Sequence, residues 1–147
     1  MSGIGATVAI SLAFWLVSDR YSSLLLVSLG GSTVYLFALT ETDESQPRAL
    51  FGGHIIGAVI GILCFHAFGD GLWVLVAAMV LTMVAMVVTR TIHPPAGANP
   101  LVIIHDHAGF SAIFNPFMVG VLVLFLVAIL WSRIHPGKRY PVMWWNN

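Results

Sequence analysis

The chain has 147 residues, of which 59% are hydrophobic and 8% are charged, and its formal net charge at pH 7 is zero. About a quarter of the residues of a soluble domain are charged, so these values exclude that class, and a mean hydropathy of +0.94 agrees. The balanced charge offers no basic surface for nucleic acid. We therefore predict an integral membrane protein that contacts the lipid bilayer and binds no nucleic acid.

Six apolar segments follow one another along the chain. A straight helix needs roughly 17–25 apolar residues to cross a bilayer. Three segments approach or meet that length: Ala49–Phe68, Leu72–Val88 and Pro116–Trp131. Ile4–Val17 is shorter but plausible as a first span, and because it has no basic leader we expect it to be retained rather than cleaved as a signal sequence. The other two segments are short and interrupted.

The clearest interruption is Thr91–Pro100, which contains the adjacent prolines Pro94 and Pro95. Proline has no N–H and its ring clashes with the preceding helical turn, so the helix must break there. Because proline fits the first turn of a helix, we expect a short helix to begin near Ala96–Asn99 and to include Leu101–Ile104. In lipid, such a break persists only where protein or a water-filled cavity covers the freed backbone.

A second interruption, Leu29-Gly30-Gly31-Ser32-Thr33, leaves Val34–Leu39 as a short half-helix in the first half of the chain. Each half then has a long helix, a break, a short apolar piece, an acidic loop and a helix that begins at a proline. We predict an internal duplication in one transmembrane domain, with repeats at about residues 1–70 and 71–147. The predicted fold class is all-α: a polytopic membrane protein with about four long spanning helices and two short broken helices.

The topology has two readings. If both broken segments cross the membrane, Arg20 lies on one side, and the N-terminus lies on the other side with Arg48, Arg90, Arg133, Lys138 and Arg139. If both are re-entrant, the six cations divide three against three. The positive-inside rule favours the first arrangement, whereas the shortness of the broken pieces favours the second; both place the C-terminus inside.

The two breaks are the candidate binding site. A half-helix that begins within the membrane directs backbone N–H groups and a positive dipole end at that point, which suits a small anion or polar solute. His93 lies in the second break and His54 one turn into a membrane helix; either could donate a hydrogen bond or carry a proton. A capping or interhelical hydrogen bond is the alternative role of His93. The candidate substrate-binding residues are His93, Pro94, Pro95, Ala96, Gly97, Ala98, Asn99, Gly30, Gly31, Ser32, Thr33 and His54.

Two cations flank this site in sequence. Arg48 and Arg90 would attract anions at one mouth, or would anchor the chain to lipid headgroups.

One helix carries a packing motif. Gly53, Gly57 and Gly61 recur every fourth residue, so another helix can approach closely, within the protomer or across an interface between copies. We predict a homo-oligomer.

The remaining polar residues exclude several classes of chemistry. All six acidic residues lie in loops or at helix ends, so no buried carboxylate is available as a proton relay or sodium ligand. No phosphate-binding loop and no pair of catalytic carboxylates can be assembled, and we expect no enzymatic activity. His105-Asp106-His107 lacks further matching ligands, and Cys64 stands alone. We therefore expect no metal and no cofactor.

The segment Thr89-Arg-Thr-Ile-His-Pro-Pro-Ala-Gly-Ala-Asn99 resembles the signature of the HPP family of integral membrane proteins, which is named after residues such as His93-Pro94-Pro95. Gly30–Phe37 is similar to the family's upstream glycine–serine segment, although it has no leading proline. Gln46–His54 is similar to the family's second signature, and Arg139-Tyr-Pro141 with Trp144 resembles its C-terminal end. The resemblance covers nearly the whole chain.

The resemblance implies a four-spanning membrane protein of bacteria, fungi or plants, and cyanobacterial and chloroplast members are implicated in nitrite transport. We expect the bacterial plasma (inner) membrane rather than the chloroplast envelope. The leading hypothesis is transport of a small anion, with nitrite as the candidate that the resemblance implies. The alternatives are a channel for a small neutral solute such as ammonia or water, and a non-transporting membrane scaffold.

Overall fold

Helices form most of the part of the chain that the computed structural model describes, residues 2–17, 24–135 and 139–144. The α-helices are α1 (Ser2–Val17), α2 (Leu24–Phe37), α3 (Pro47–Phe68), α4 (Leu72–Thr89), α5 (Asn99–His105) and α6 (Val119–Ile134). A 3₁₀ turn at Asp43–Ser45 precedes α3, and a 3₁₀ helix at Pro94–Ala98 precedes α5. A kinked turn at Ile113–Met118, in which Asn115 has extended backbone angles (φ −131°, ψ 114°), precedes α6. The predicted all-α polytopic class is confirmed.

Three of these segments are long and apolar enough to cross a bilayer: α3, α4 and the combined segment Ile113–Ile134. Helices α1 and α2 are shorter, with 16 and 14 residues. Helix α1 packs between α2 and α6, and α3 packs against α4 on one side and α5 on another. Most of the side chains buried between the helices are apolar. The outward side chains of α4, such as Leu81 and Val88, are exposed, which is typical of residues that face lipid.

Contacts at the two ends of the bundle show in which direction the broken segment runs. His93 Nδ1 lies 2.6 Å from the Glu44 carbonyl oxygen beside the start of α3, whereas His107 Nε2 lies 2.9 Å from an Asp70 carboxylate oxygen at the end of α3. The segment from His93 to His107 therefore runs the full depth of the bundle, antiparallel to α4. This path supports the crossing reading of the segment over the re-entrant one.

The start of α1 and the end of α6 lie at the same end of the bundle as the start of α3, where the Tyr140 hydroxyl contacts Ser45 O. Gly5 in the first turns of α1 contacts the Trp131 ring near the end of α6. The cations Arg48, Arg90, Arg133 and Arg139 belong to this end, as the six-crossing reading requires; Arg20 and Lys138 lie outside the described residues.

Helix α2 corrects the sequence prediction, because it continues without a break through Leu29–Thr33. Glycine keeps its N–H and costs a helix only about 1 kcal/mol relative to alanine, far less than proline. The hydroxyls of Ser32 and Thr33 donate to the carbonyl oxygens four residues earlier, at 2.9 and 2.8 Å. Glycine here serves packing: a Cβ on Gly31 would lie 3.0 Å from the Pro95 Cβ. The half-helix Val34–Leu39 is therefore wrong as a separate element.

The second predicted break is confirmed. His93 has extended backbone angles (φ −137°, ψ 95°), the 3₁₀ helix begins at Pro94, and α5 continues from Asn99. The glycine ladder of α3 covers this irregular backbone. A Cβ on Gly57 would lie 2.6 Å from the Ala96 carbonyl oxygen, and one on Gly61 would lie 2.8 Å from the Pro100 Cα. The ladder is thus used for packing within the protomer.

Candidate functional site

Five polar side chains from three crossing segments meet in the interior of the bundle. Helix α2 contributes Ser28 and Ser32, α3 contributes His54, and the broken segment contributes His93 and Asn99; all five are fully buried. We call these five residues the polar cluster. Polar side chains within a membrane domain are costly and usually mark functional positions, so this cluster is the candidate site.

Hydrogen bonds connect every member of the polar cluster. Ser28 Oγ donates to Asn99 Oδ1 at 2.7 Å, and Asn99 Nδ2 lies 3.0 Å from both the Nδ1 and the carbonyl oxygen of His54. Ser32 Oγ lies 3.0 Å from His54 Nε2 and 2.9 Å from His93 Nε2, and thus bridges the two imidazoles. Among the described residues, Thr82 Oγ1 is the buried side-chain polar atom without a partner, so the cluster is fully hydrogen-bonded.

Aromatic and backbone groups enclose the two histidines. The rings of His54 and His93 are 5.3 Å apart between centroids; Tyr35 packs edge-on against His93, and Phe117 lies against His54. Gly53 completes the wall, because an added Cβ there would lie 2.9 Å from the His93 Cβ. The cluster is closed to solvent in this conformation.

The structure separates the predicted binding residues into two groups. His93, Asn99, Ser32 and His54 meet in the polar cluster. Backbone N–H groups of the second break are engaged locally instead of facing a cavity: Ala96 N donates to His93 O at 3.0 Å, and Asn99 N donates to the Ala96 carbonyl oxygen.

The other predicted residues lie away from the cluster. Pro94 and Gly97 face outward and line an apolar groove against α4, with a volume of about 400 Å³. Gly30 and Thr33 line a smaller groove of about 200 Å³ beside the start of α1. Pro95 packs against Gly31, and Ala98 is half-buried.

An open cavity lies beside the start of α3, at the cationic end of the bundle. It has a volume of about 400 Å³ and is lined by Pro47, Arg48, Phe51, Gly52, Thr89, Thr91 and Trp144. Arg48 Nη2 donates to the Thr89 carbonyl oxygen at 2.9 Å, and the hydroxyls of Thr89 and Thr91 are 2.7 Å apart. Gly52 and Thr91 are in contact on its lining, and Gly53, which follows Gly52, contacts His93, two positions after Thr91. We call this cavity the vestibule.

Of the two predicted mouth cations, Arg48 lines the vestibule. Arg90 is exposed and adopts the left-handed conformation (φ 55°) that ends α4. It is not among the residues that line the vestibule.

The C-terminal segment holds the loop to which His93 is bonded. The Tyr140 hydroxyl donates to Ser45 O at 2.8 Å, and the Gln46 side-chain oxygen accepts from Val142 N and Met143 N at 3.0 and 3.2 Å. Burial raises the pKa of the Tyr140 phenol above its ordinary value. The neutral phenol is therefore the form that the folded chain keeps.

Sequence reasoning missed Ser28, Gln46 and Tyr140. A signal existed for Ser28, since it precedes Ser32 by four residues and therefore lies on the same face of α2. Gln46 and Tyr140 belong to recognisable motifs, but their partners do not follow from the sequence: Tyr140 contacts Ser45 across 95 positions, and Gln46 contacts Val142 across 96.

Comparison with known proteins identifies the family. Residues 1–141 match the family model described as the HPP transmembrane region. A Dictyostelium discoideum protein described as a transmembrane protein is 30% identical over 152 residues, which cover 98% of this chain and 49% of the relative. A second such protein of that organism is 28% identical over 135 residues, covering 86% of this chain and 47% of the relative.

This chain thus spans about half the length of the curated relatives it matches. No solved structure matches it. A family model that covers nearly the whole chain is decisive, and this integral membrane protein belongs to the HPP transmembrane family.

Proposed function

We propose that this chain transports a small anion across the membrane, with nitrite as the leading candidate. The observation that carries the proposal is the polar cluster: five polar side chains, two of them imidazoles, lie fully buried where three crossing segments meet. A merely structural bundle can be packed with apolar side chains alone, whereas ionisable and polar side chains within a membrane domain usually mark functional positions.

The charges around the cluster support an anion rather than a cation. The described interior holds no carboxylate, and the donors nearest the polar cluster are imidazole, amide and hydroxyl groups. The vestibule adds Arg48 and the hydroxyls of Thr89 and Thr91 at the end where His93 lies. An anion would pass from the vestibule, between Thr91 and Gly52, to the imidazoles.

Nitrite uptake into proteoliposomes tests this proposal. Leucine has a volume similar to that of asparagine, but Asn99→Leu removes the oxygen that accepts from Ser28 and the N–H that donates to His54. Uptake should therefore fall to the rate of protein-free vesicles. Val84→Ala, on the half-exposed lipid-facing side of α4, is the control and should keep the unaltered rate. Equal rates for the folded Asn99→Leu protein and the unaltered chain would overturn the proposed site.

A second pair of variants tests the vestibule. Arg48→Gln should raise the half-saturating nitrite concentration several-fold, and the effect should shrink at high salt because surface attraction is screened. Arg133→Gln removes a cation from the same end of the bundle but not from the vestibule, and should leave this concentration unaltered. If both variants behave alike, Arg48 acts only through net charge.

The alternatives would give different results in the same vesicles. A neutral-solute channel would pass water in stopped-flow light scattering without nitrite uptake, and a scaffold would pass neither.

Three further expectations belong to this proposal. The bacterial plasma membrane is the expected location, and a homo-oligomer is the expected assembly. The internal two-fold duplication is supported by equivalent packing, since α1 on α6 and α4 on α3 are corresponding pairs under it. Each of these stays a prediction.

A further inference from the structure

The partners at the two ends of the polar cluster fix which nitrogen of each imidazole carries hydrogen. The Glu44 carbonyl oxygen can only accept, so His93 Nδ1 carries the hydrogen, and in the neutral ring His93 Nε2 accepts from Ser32. Asn99 Nδ2 also lies 3.0 Å from the His54 carbonyl oxygen, so this atom is a donor. His54 Nδ1 therefore accepts, and His54 Nε2 carries the hydrogen that points to Ser32 Oγ.

These assignments give a chain of hydrogen bonds with one direction: His54 donates to Ser32, Ser32 donates to His93, and His93 donates to Glu44 O. Both imidazoles are neutral in this state. Ser32 Oγ has a second acceptor, Ser28 O at 2.9 Å. The single hydroxyl hydrogen of Ser32 can therefore point to His93, which connects the two rings, or to Ser28 O, which disconnects them.

A bound anion in this interior requires a compensating positive charge. Of the polar-cluster residues, only the two histidines can supply it, and they share the Ser32 bridge. Their titratable neighbours on the surrounding elements are Tyr35, whose ring lies 5.5 Å from that of His93, and Glu44 in the loop before α3. A second proton would place two like charges on rings 5.3 Å apart, which is strongly unfavourable in a buried site.

We propose that His54, Ser32 and His93 form a proton relay that takes one proton for each anion carried, so that transport is an electroneutral symport of one proton and one anion. This inference rests on the proposed anion transport. Asn99 closes the inner end of the relay, because its amide N–H occupies His54 Nδ1 and cannot accept a proton. The half-buried Glu44 loop closes the outer end.

Each transfer in the relay conserves protons. A proton binds His54 Nδ1 once the Asn99 amide leaves; His54 Nε2–H passes to Ser32 Oγ while the hydrogen of Ser32 passes to His93 Nε2. His93 Nδ1–H is then released to water at the Glu44 end. Both rings end neutral in their other tautomers, one proton has moved from His54 Nδ1 to His93 Nδ1, and the reverse transfers carry a proton the other way.

The test measures nitrite and protons together in proteoliposomes that contain a pH-sensitive dye, with the membrane potential clamped by potassium and valinomycin. Protein-free vesicles supply the rate at which nitrous acid crosses lipid alone, and this rate is subtracted. The unaltered chain should take up one proton per nitrite, at a rate that follows the pH gradient and ignores the clamped potential.

Ser32→Ala keeps both histidines but removes their bridge, so proton-coupled uptake should fall about a hundredfold, within the range that a positioned proton carrier contributes. Thr82→Val is the matched control: its hydroxyl is fully buried in α4, outside the polar cluster, and has no hydrogen-bond partner among the described residues. Thr82→Val should keep both the rate and the one-to-one ratio. Size-exclusion profiles and thermal unfolding in detergent verify that both variants fold.

The possible failures are distinguishable. Nitrite entry that follows the membrane potential and brings no protons would overturn the relay and leave anion transport standing. Coupled uptake by folded Ser32→Ala at the unaltered rate would also overturn the relay. Absence of nitrite uptake above that of protein-free vesicles would overturn the proposed function, and the relay with it.

Discussion

Replacing Gly57 by alanine tests whether the broken segment is held by direct contact between backbones. The added Cβ would lie 2.6 Å from the Ala96 carbonyl oxygen and 3.1 Å from the Asn99 Cβ. A backbone oxygen cannot rotate away as a flexible side chain can, so α3 and the broken segment must separate by several tenths of an ångström. Overpacking of this kind costs about 1–3 kcal/mol.

Alanine also favours a helix over glycine by about 1 kcal/mol, which offsets part of that cost. With the upper end of the overpacking range, the expected net loss is about 2 kcal/mol in the free energy of unfolding. The assay is reversible unfolding of the purified protein in mixed micelles, followed by tryptophan fluorescence. Gly30→Ala is the control, because an added Cβ at Gly30 meets nothing within 4 Å; it should be neutral or stabilising. Equal stability of the two variants would refute the close-contact reasoning.

Three further outcomes are expected. Gly31→Ala should lose about 1 kcal/mol in the same assay, because its Cβ would lie 3.0 Å from the Pro95 Cβ and proline can yield only slightly; a gain would contradict this. Gln46→Ala removes the acceptor of two tail N–H groups, so limited proteolysis should cut the tail several times faster, and an unaltered rate would count against the contact. Burial raises the pKa of Tyr140, so its contribution to stability is complete below the ordinary tyrosine pKa of about 10 and is lost as the pH rises above it. Stability measured against pH should show that loss in the unaltered chain and lack it in Tyr140→Phe; identical slopes would disprove it.

Local covalent chemistry explains why one break was predicted correctly and the other was not. Pro94 and Pro95 lack N–H groups, so the broken segment follows from the residues themselves. Gly30 and Gly31 permit a break but do not require one. Whether they sit in a helix depends on what packs against them, and Pro95 lies 64 positions away (95 − 31). That information exists only in the tertiary structure.

The same distinction applies to the candidate site. His93, Asn99, Ser32 and His54 could be selected from sequence because each is polar within an apolar stretch. Their mutual hydrogen bonds could not, since Ser28 and Asn99 are separated by 71 positions and belong to different crossing segments. The expected cradle of backbone N–H groups also depended on an open helix end, which the 3₁₀ helix closes through the Ala96 N–H to His93 O bond.

The packing around the broken segment indicates which interface must open for an anion to reach the polar cluster. Gly53, Gly57 and Gly61 bring α3 into backbone contact with this segment along its length, so these two elements should move as one unit. Helix α2 is joined to the same segment by the Gly31 contact and by the Ser28 and Ser32 hydroxyls, bonds that water can replace. Opening should therefore separate α2 from the pair formed by α3 and the broken segment.

Spin labels at the exposed positions Val34 on α2, Leu63 on α3 and Ile92 beside the break would report this opening. Nitrite should change the distances to Val34 and leave the distance between Leu63 and Ile92 constant. A change confined to that last distance would place the opening at the glycine ladder instead.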